Sequence, residues 1–211
     1  MTESRNRTVG IVVYEQVEVL DFTGPFEVFS VTRTDPEADR QSPLPYSVRL
    51  IAQSMQTVTA TGDMRVLPDF SFSDCPALDI LVVPGGQGSR SQMGNPELLR
   101  FITDRASEVG TVASVCTGSL LLAKSGLLDG RRATTHWRVL DLMQEMFPRV
   151  RVDRSRHVVA DGDVVTSAGI SAGIDMSLYL VAKQYGEQIA RATARQMEYH
   201  YPESDRRRID L

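Results

Sequence analysis

A chain of 211 residues with a formal net charge of −4 has room for one full hydrophobic core, and its charge argues against nucleic acid as the main partner. Its two cysteines, Cys75 and Cys116, are too few for a disulfide framework, and no CxxC or HExxH metal-ligand spacing is present. The polar start, MTESRNRTVG, lacks the apolar core of a signal peptide and no later run is long enough to cross a bilayer, so the sequence reads as cytoplasmic with no membrane partner.

Residues 9–14, VGIVVY, form a near-continuous β-branched run and predict a strand covered on both faces. Asp21-Phe22-Thr23-Gly24-Pro25 follows, where Thr23 or Gly24 caps a predicted helix with Pro25 in its first turn and Phe26, Val28 and Phe29 on its apolar face. Residues 35–45, rich in Asp, Glu, Arg and Pro, predict an exposed loop. A second strand is expected at 46–52, and a short hairpin at 57–61 and 64–67 about Gly62-Asp63. Residues 79–83, DILVV, predict a buried strand ending in Pro84-Gly85-Gly86-Gln87-Gly88. Asn95 caps a helix that has Pro96 at its first position and runs to about Glu108.

Residues 111–124, TVASVCTGSLLLAK, organise the rest. Small and β-branched residues predict a short strand, and the run from Leu120 predicts a helix. Cys116 stands at the corner, followed by Thr117, Gly118 and Ser119. A sharp strand-to-helix turn lifts its corner residue to the top of a sheet, as in a nucleophile elbow, and the helix amides are expected to lower the thiol pKa. The plainer alternative is that Cys116 is one more small buried residue. Beyond it lie a turn and short extended segment at 126–136, a helix at 137–147, a strand pair at 150–153 and 157–160, a tight turn at 161–163 and a strand at 164–167. Helices are expected at about 174–185 and 186–199, then a charged, mobile tail. Strands alternating with helices imply a mostly parallel sheet wrapped on both faces, in one domain over 8–200 with polar tails at 1–7 and 201–211.

In such sheets ligands bind beyond the carboxyl ends of the strands. Asp21, Gly85-Gly86 and Cys116 all fall there. Cys116 would attack, Asp21 would move protons, and the amides of Thr117 and of Gly85 or Gly86 would hold developing negative charge. Each has a plainer role: Asp21 as a helix cap, the glycines as a turn. His136 and Trp137 read as packing at a helix entry, His157 and His200 as surface residues, and the aromatics near Phe22, Phe26 and Phe29 as core.

These landmarks together give a family likeness. LDFTGPFEVF (20–29), VVPGGQG (82–88), SVCTGSLLLAKSGLLDGRRATTHW (114–137) and TSAGISAGID (166–175) resemble the ThiJ/PfpI superfamily of class I glutamine amidotransferase-like proteins, over about residues 8–199. The likeness is greatest to the isocyanide hydratase branch and to the amino-terminal domains of AraC-type regulators. It implies a flavodoxin-like α/β sandwich, usually a homodimer, with Cys116 as nucleophile, Asp21 as the acidic residue beside it, Thr117 as the adjoining threonine, and Ile170 and Ser171 in the substrate site. Protease-like members carry histidine directly after the cysteine, where this chain has Thr117. Amidotransferases supply a histidine from a later strand end, and the GISAG stretch has none. A Cys–His mechanism is therefore not expected. The regulators continue into a helix-turn-helix domain, whereas this sequence ends about a dozen residues past its last predicted helix, so it is not expected to be one of them.

The resemblance implies cofactor-independent hydration of isocyanides, small-molecule substrates, to N-substituted formamides through a thioimidate on Cys116, with Asp21 as acid and base. The alternatives are glyoxalase- or deglycase-type chemistry on small carbonyls, and a non-catalytic ligand or oxidant sensor built around Cys116.

Overall fold

The computed structural model describes residues 6–37 and 42–209. Residues 1–5 of the amino-terminal tail, 38–41 of the expected loop, and 210–211 lie outside them.

The elements in chain order are β1 (Arg7–Val12), α1 (Val19–Val31), β2 (Tyr46–Ala52), β3 (Val58–Thr59), β4 (Arg65–Val66), β5 (Phe70–Ser71), β6 (Ile80–Val83), α2 (Ser89–Gln92), α3 (Pro96–Ala106), β7 (Thr111–Val115), α4 (Gly118–Lys124), β8 (Arg132–Ala133), α5 (Leu140–Met146), β9 (Arg151–Val152), β10 (Val158–Asp161), β11 (Val164–Ser167), α6 (Ala172–Tyr185) and α7 (Glu187–Gln196). Seven strands form the main sheet in the order β10-β11-β7-β6-β1-β2-β5. Every pairing in it is parallel except β10 with β11. The fold is thus the flavodoxin-like α/β sandwich that alternating strands and helices imply. Helices α1, α6 and α7 pack on one another, and α4 packs with α2 and α3.

β6, β7 and β11 are buried at every position, as are the last four residues of β1, because helices cover both faces of the sheet. Leu120, Leu121 and Leu122 of α4 are all fully buried, each contributing about 1.5–3 kcal/mol of burial energy. Phe22 and Phe29 lie in the core with half-buried Phe26 packed against it. Asn95 caps α3, its side chain accepting from the amides of Glu97 and Leu98. The short hairpin forms with β3 antiparallel to β4.

Four expectations need correction. Helix α1 begins at Val19, so Pro25 lies inside it rather than in its first turn. Proline has no amide hydrogen to give the Asp21 carbonyl one turn back, and α1 tolerates that loss in a wall that also buries Phe22, Val28 and Phe29. Segments 150–153 and 157–160 do not pair with each other: β9 runs parallel to β8, and β10 joins β11 at the sheet edge. His157 is not a surface residue but 4% exposed, with Nε2 3.1 Å from Asp175 Oδ2 and Nδ1 2.6 Å from the Arg206 carbonyl. The charged tail is likewise docked, Arg206 forming an antiparallel bridge with Arg156.

Candidate active site

Because β1, β6, β7 and β11 are parallel neighbours, their carboxyl ends share one edge. Register places Val83 beside Ser114 and Val115 beside Ser167. The segments beginning at Pro84, Cys116 and Ala168 therefore leave the sheet together. Cys116 follows β7 with φ +56°, a left-handed conformation that non-glycine residues enter only under constraint. Its amide donates to the carbonyls of Ser167 (3.2 Å) and Ala168 (3.1 Å), and its carbonyl accepts from Thr135 Oγ1 at 3.0 Å. α4 starts at Gly118, two residues earlier than the apolar run from Leu120 suggests.

Asp21 reaches this corner from the first turn of α1 and is fully buried. The Gly85 amide donates to its Oδ2 at 2.9 Å. Its Oδ1 is buried without a well-formed hydrogen bond, and the Cys116 thiol is near enough to interact with the carboxyl group. Burial pushes the Asp21 pKa up to about 8, with the nearby Glu18 charge adding to the rise, while the Gly85 amide and the Cys116 thiol pull against it. Burial therefore favours the protonated form of Asp21. The capping alternative fails on geometry, since this carboxyl is spent across the sheet edge on Gly85.

The Cys116 thiol is pushed up, not down as the helix dipole suggested. Burial is the main cause and the Asp21 charge adds to it, outweighing the stabilising contacts of the Thr117 and Ile170 amides and the Thr117 hydroxyl. The two groups titrate as a coupled pair.

Gly85 and Gly86 stand beside this pair, but their amides are engaged: Gly85 with Asp21, Gly86 with Thr117 Oγ1 at 3.0 Å. They are not free to hold a substrate oxyanion in this arrangement. Gly85 is still required sterically, since a Cβ there would lie 2.5 Å from both Thr117 N and Oγ1. The Ser89 hydroxyl lies 2.7 Å from the Gly86 carbonyl and 2.9 Å from Thr117 Oγ1, closing the ring. Ile170, also at positive φ (+57°), points its amide toward Cys116 and leaves its side chain 37% exposed at the edge. Ser171, exposed beside it, is the N-cap residue of α6 and makes no capping hydrogen bond.

Tyr14 was missed by the sequence reading. Its buried hydroxyl donates to the Pro84 carbonyl at 2.6 Å, and burial plus the charges of Asp21 and Cys116 hold its phenol well above its usual range. The available signal was its place at the carboxyl end of the first β-branched run. His136 is a packing residue as expected, with Nδ1 accepting from the Arg138 amide at 3.3 Å. Trp137 instead is 43% exposed, with the Arg138 guanidinium over its ring at 4.9 Å. Cys75 is distant in the fold, its thiol against the Pro76 carbonyl and its pKa also raised by burial. Among the described residues no group of three or more His, Cys, Asp or Glu is placed to hold a metal ion, and no helix is long and apolar enough to cross a membrane.

Because burial and the Asp21 charge both hold the Cys116 thiol up, iodoacetamide labelling of Cys116 is expected to be slow at neutral pH and to keep quickening up to pH 10. Peptide mass spectrometry of labelling from pH 6 to 10 checks this; a rate that has levelled off by pH 8 means the thiol is not held up.

Comparison with known proteins agrees with this architecture. The chain is 38% identical over 191 residues to an isonitrile hydratase of Pseudomonas putida, covering 90% of this chain and 78% of that one. It is 34% identical over 156 residues to the HTH-type transcriptional regulator GbdR of Pseudomonas aeruginosa, of whose length it spans 42%. The crystal structure of a ThiJ/PfpI family protein from Pseudomonas syringae superposes with a TM-score of 0.81 at 29% identity, covering 95% of this chain and 78% of that one. An AraC family transcriptional regulator from Pseudomonas putida shares the fold at 21% identity with a TM-score of 0.75, over 90% of this chain and 99% of that one. The DJ-1/PfpI family pattern matches residues 7–183, and the chain belongs to the DJ-1/PfpI family.

Proposed function

We propose that this protein hydrates isocyanides to N-substituted formamides, using Cys116 as nucleophile and Asp21 as acid and base. The observation that carries the reading is the buried pair itself, the Asp21 carboxyl held by the Gly85 amide within reach of the Cys116 thiol, in surroundings that favour its protonated form. An isocyanide has a terminal carbon that must accept a nucleophile and a proton together. In the singly ionised pair, the form with a thiolate and a carboxylic acid supplies both. Sulfur bonds to the terminal carbon, Asp21 delivers its proton to that carbon, and a thioimidate, R–N=CH–S–Cys116, results. The Asp21 carboxylate then takes a proton from water as the hydroxyl adds to the same carbon, and passes that proton to nitrogen. Collapse breaks the carbon–sulfur bond, the hydroxyl proton returns to the pair, and R–NH–CHO leaves. The net change is addition of one water.

The amides of Thr117 and Ile170 and the Thr117 hydroxyl would steady the thiolate through this cycle. Gly85 would hold Asp21 in reach. The similarity to an isonitrile hydratase supports the choice of substrate class. A second reading, a ligand- or oxidant-sensing module, is favoured by the similarity to transcriptional regulators. Incubation with an alkyl or aryl isocyanide, watched by NMR for the formamide and run beside methylglyoxal, separates these. Formamide from isocyanide is the expected result. Lactate from methylglyoxal alone, or oxidation of Cys116 by low peroxide without turnover of either compound, would sink the proposal.

We also expect a homodimer, on family resemblance. Light scattering at micromolar concentration should give twice the 23.4 kDa chain mass, and a monomer there removes the expectation.

A further inference from the structure

The segment at 205–208 makes an unusual set of contacts for a stretch of charged residues near a chain terminus. The Arg207 amide donates to the Ser155 carbonyl at 2.7 Å. Its guanidinium donates to the Arg154 carbonyl (3.0 Å), to Thr134 Oγ1 (2.8 Å) and to the Thr135 carbonyl (3.2 Å). Thr134 and Thr135 are both fully buried, and Thr135 is the residue whose hydroxyl donates to the Cys116 carbonyl. Arg208 reaches Asp175 Oδ2 at 2.9 Å, in the first turn of α6, where His157 Nε2 and the Tyr199 hydroxyl also converge. The Arg206 carbonyl accepts from His157 Nδ1, since a carbonyl only accepts, and the Asp205 carbonyl accepts from the His157 amide at 2.8 Å. The His157 carbonyl in turn accepts from the Ala168 amide (2.7 Å), and the Ala168 carbonyl accepts from the Cys116 amide.

Two routes therefore run from this segment to the elbow, one ending on the Cys116 carbonyl and the other on its amide. A left-handed residue other than glycine persists only where its surroundings over-determine it. At Cys116 the groups that do so are anchored from the tail.

We propose that residues 205–208 are positioning residues for the reactive thiol, with the Arg207–Thr135 contact and the His157–Asp175–Arg208 cluster holding the Cys116 backbone in its left-handed turn. The proposal rests on Cys116 being the reactive group, but not on which substrate it attacks.

The test uses the full chain with Arg207→Ala, Arg208→Ala, Arg207→Lys and Thr135→Val. For each, kcat and KM on an isocyanide are measured beside the Tm and the pH profile of iodoacetamide labelling at Cys116, located by peptide mass spectrometry. Arg207→Ala is expected to lower kcat by about 10- to 100-fold with KM within about threefold, because a small misplacement of a reacting group costs on that scale. It should also displace the labelling profile. Arg207→Lys, which retains one donor, should recover part of both. Thr135→Val removes only the hydroxyl on the Cys116 carbonyl and serves where Arg207→Ala does not fold; it should reproduce the loss. Lower Tm values with wild-type kcat and a wild-type labelling profile in both arginine-to-alanine variants, or in Thr135→Val, overturn the proposal. If the wild type turns over no isocyanide, the labelling profile alone decides: a displaced profile upholds the positioning role and an unchanged one removes it, whatever the substrate.

Discussion

Asp21→Asn is expected to lose isocyanide turnover by about 10²- to 10⁴-fold, the usual cost of removing a general acid and base, while gaining stability over wild type as pH rises. The stability sign follows from burial. In the folded protein the carboxyl titrates at about 8, whereas its ordinary value is 3.8. Between those values the folded state holds a proton that the unfolded chain has lost. The protonated carboxyl therefore contributes stability that is fully present below about pH 4 and is lost progressively as pH rises to 8. Asparagine does not titrate and retains an oxygen to accept the Gly85 amide. The stability difference between variant and wild type should thus shift toward the variant by on the order of 4 kcal/mol from pH 4 to pH 8. Urea denaturation at several pH values reads this directly. A difference that stays constant with pH would mean Asp21 is ionised in the fold, and the proposed acid would be gone. Wild-type kcat/KM should also rise with pH through about 8, as the pair sheds its first proton. In Asp21→Asn, cysteine labelling should move to lower pH, because the carboxylate charge that adds to the thiol's rise is gone while only burial persists.

Cys116→Ala should reduce turnover to the uncatalysed background and leave the fold in place. The residue is small, so little buried surface is lost, and its backbone bonds to Ser167, Ala168 and Thr135 do not involve the side chain. Turnover near wild type would eliminate the covalent mechanism. Cys116→Gly adds a structural readout. Glycine adopts a positive φ freely, which alanine at +56° does not, and the relief is worth about 1 kcal/mol. Cys116→Gly should therefore unfold at no lower urea concentration than Cys116→Ala, although it buries less. A glycine variant clearly weaker than the alanine one would show that the elbow carries no backbone strain.

Much of the architecture was legible because solid apolar runs have few alternatives. DILVV, TVASV and VVTS read as strands covered on both sides, and β6, β7 and β11 are fully buried. Asn95-Pro96 carries its own cap chemistry and marks the start of α3 to the residue. Start points failed where local signals competed. Thr23-Gly24-Pro25 looks like a helix entry, yet packing of Phe22 and Asp21 against the sheet starts α1 at Val19. The pairing of the segments around residues 151 and 158 was illegible because short strands carry no mark of their partner.

The order of residues by itself determined that Cys116 stands between a strand and a helix, and that Asp21 and Gly85-Gly86 follow parallel strands. Those facts are local, and parallel topology then sends all three to one edge. The tertiary structure alone decided the electrostatics. A helix dipole would lower a thiol in isolation, but enclosure of Cys116 with Asp21 makes desolvation the larger effect and reverses the direction. It also decided which amides are free, since Gly85 and Gly86 are spent on Asp21 and Thr117 while the Thr117 and Ile170 amides face the sulfur. The docking of Arg207 and Arg208 was equally invisible, because their partners, Thr134, Thr135 and Asp175, lie 33 to 73 residues away along the chain and meet them only in the folded structure.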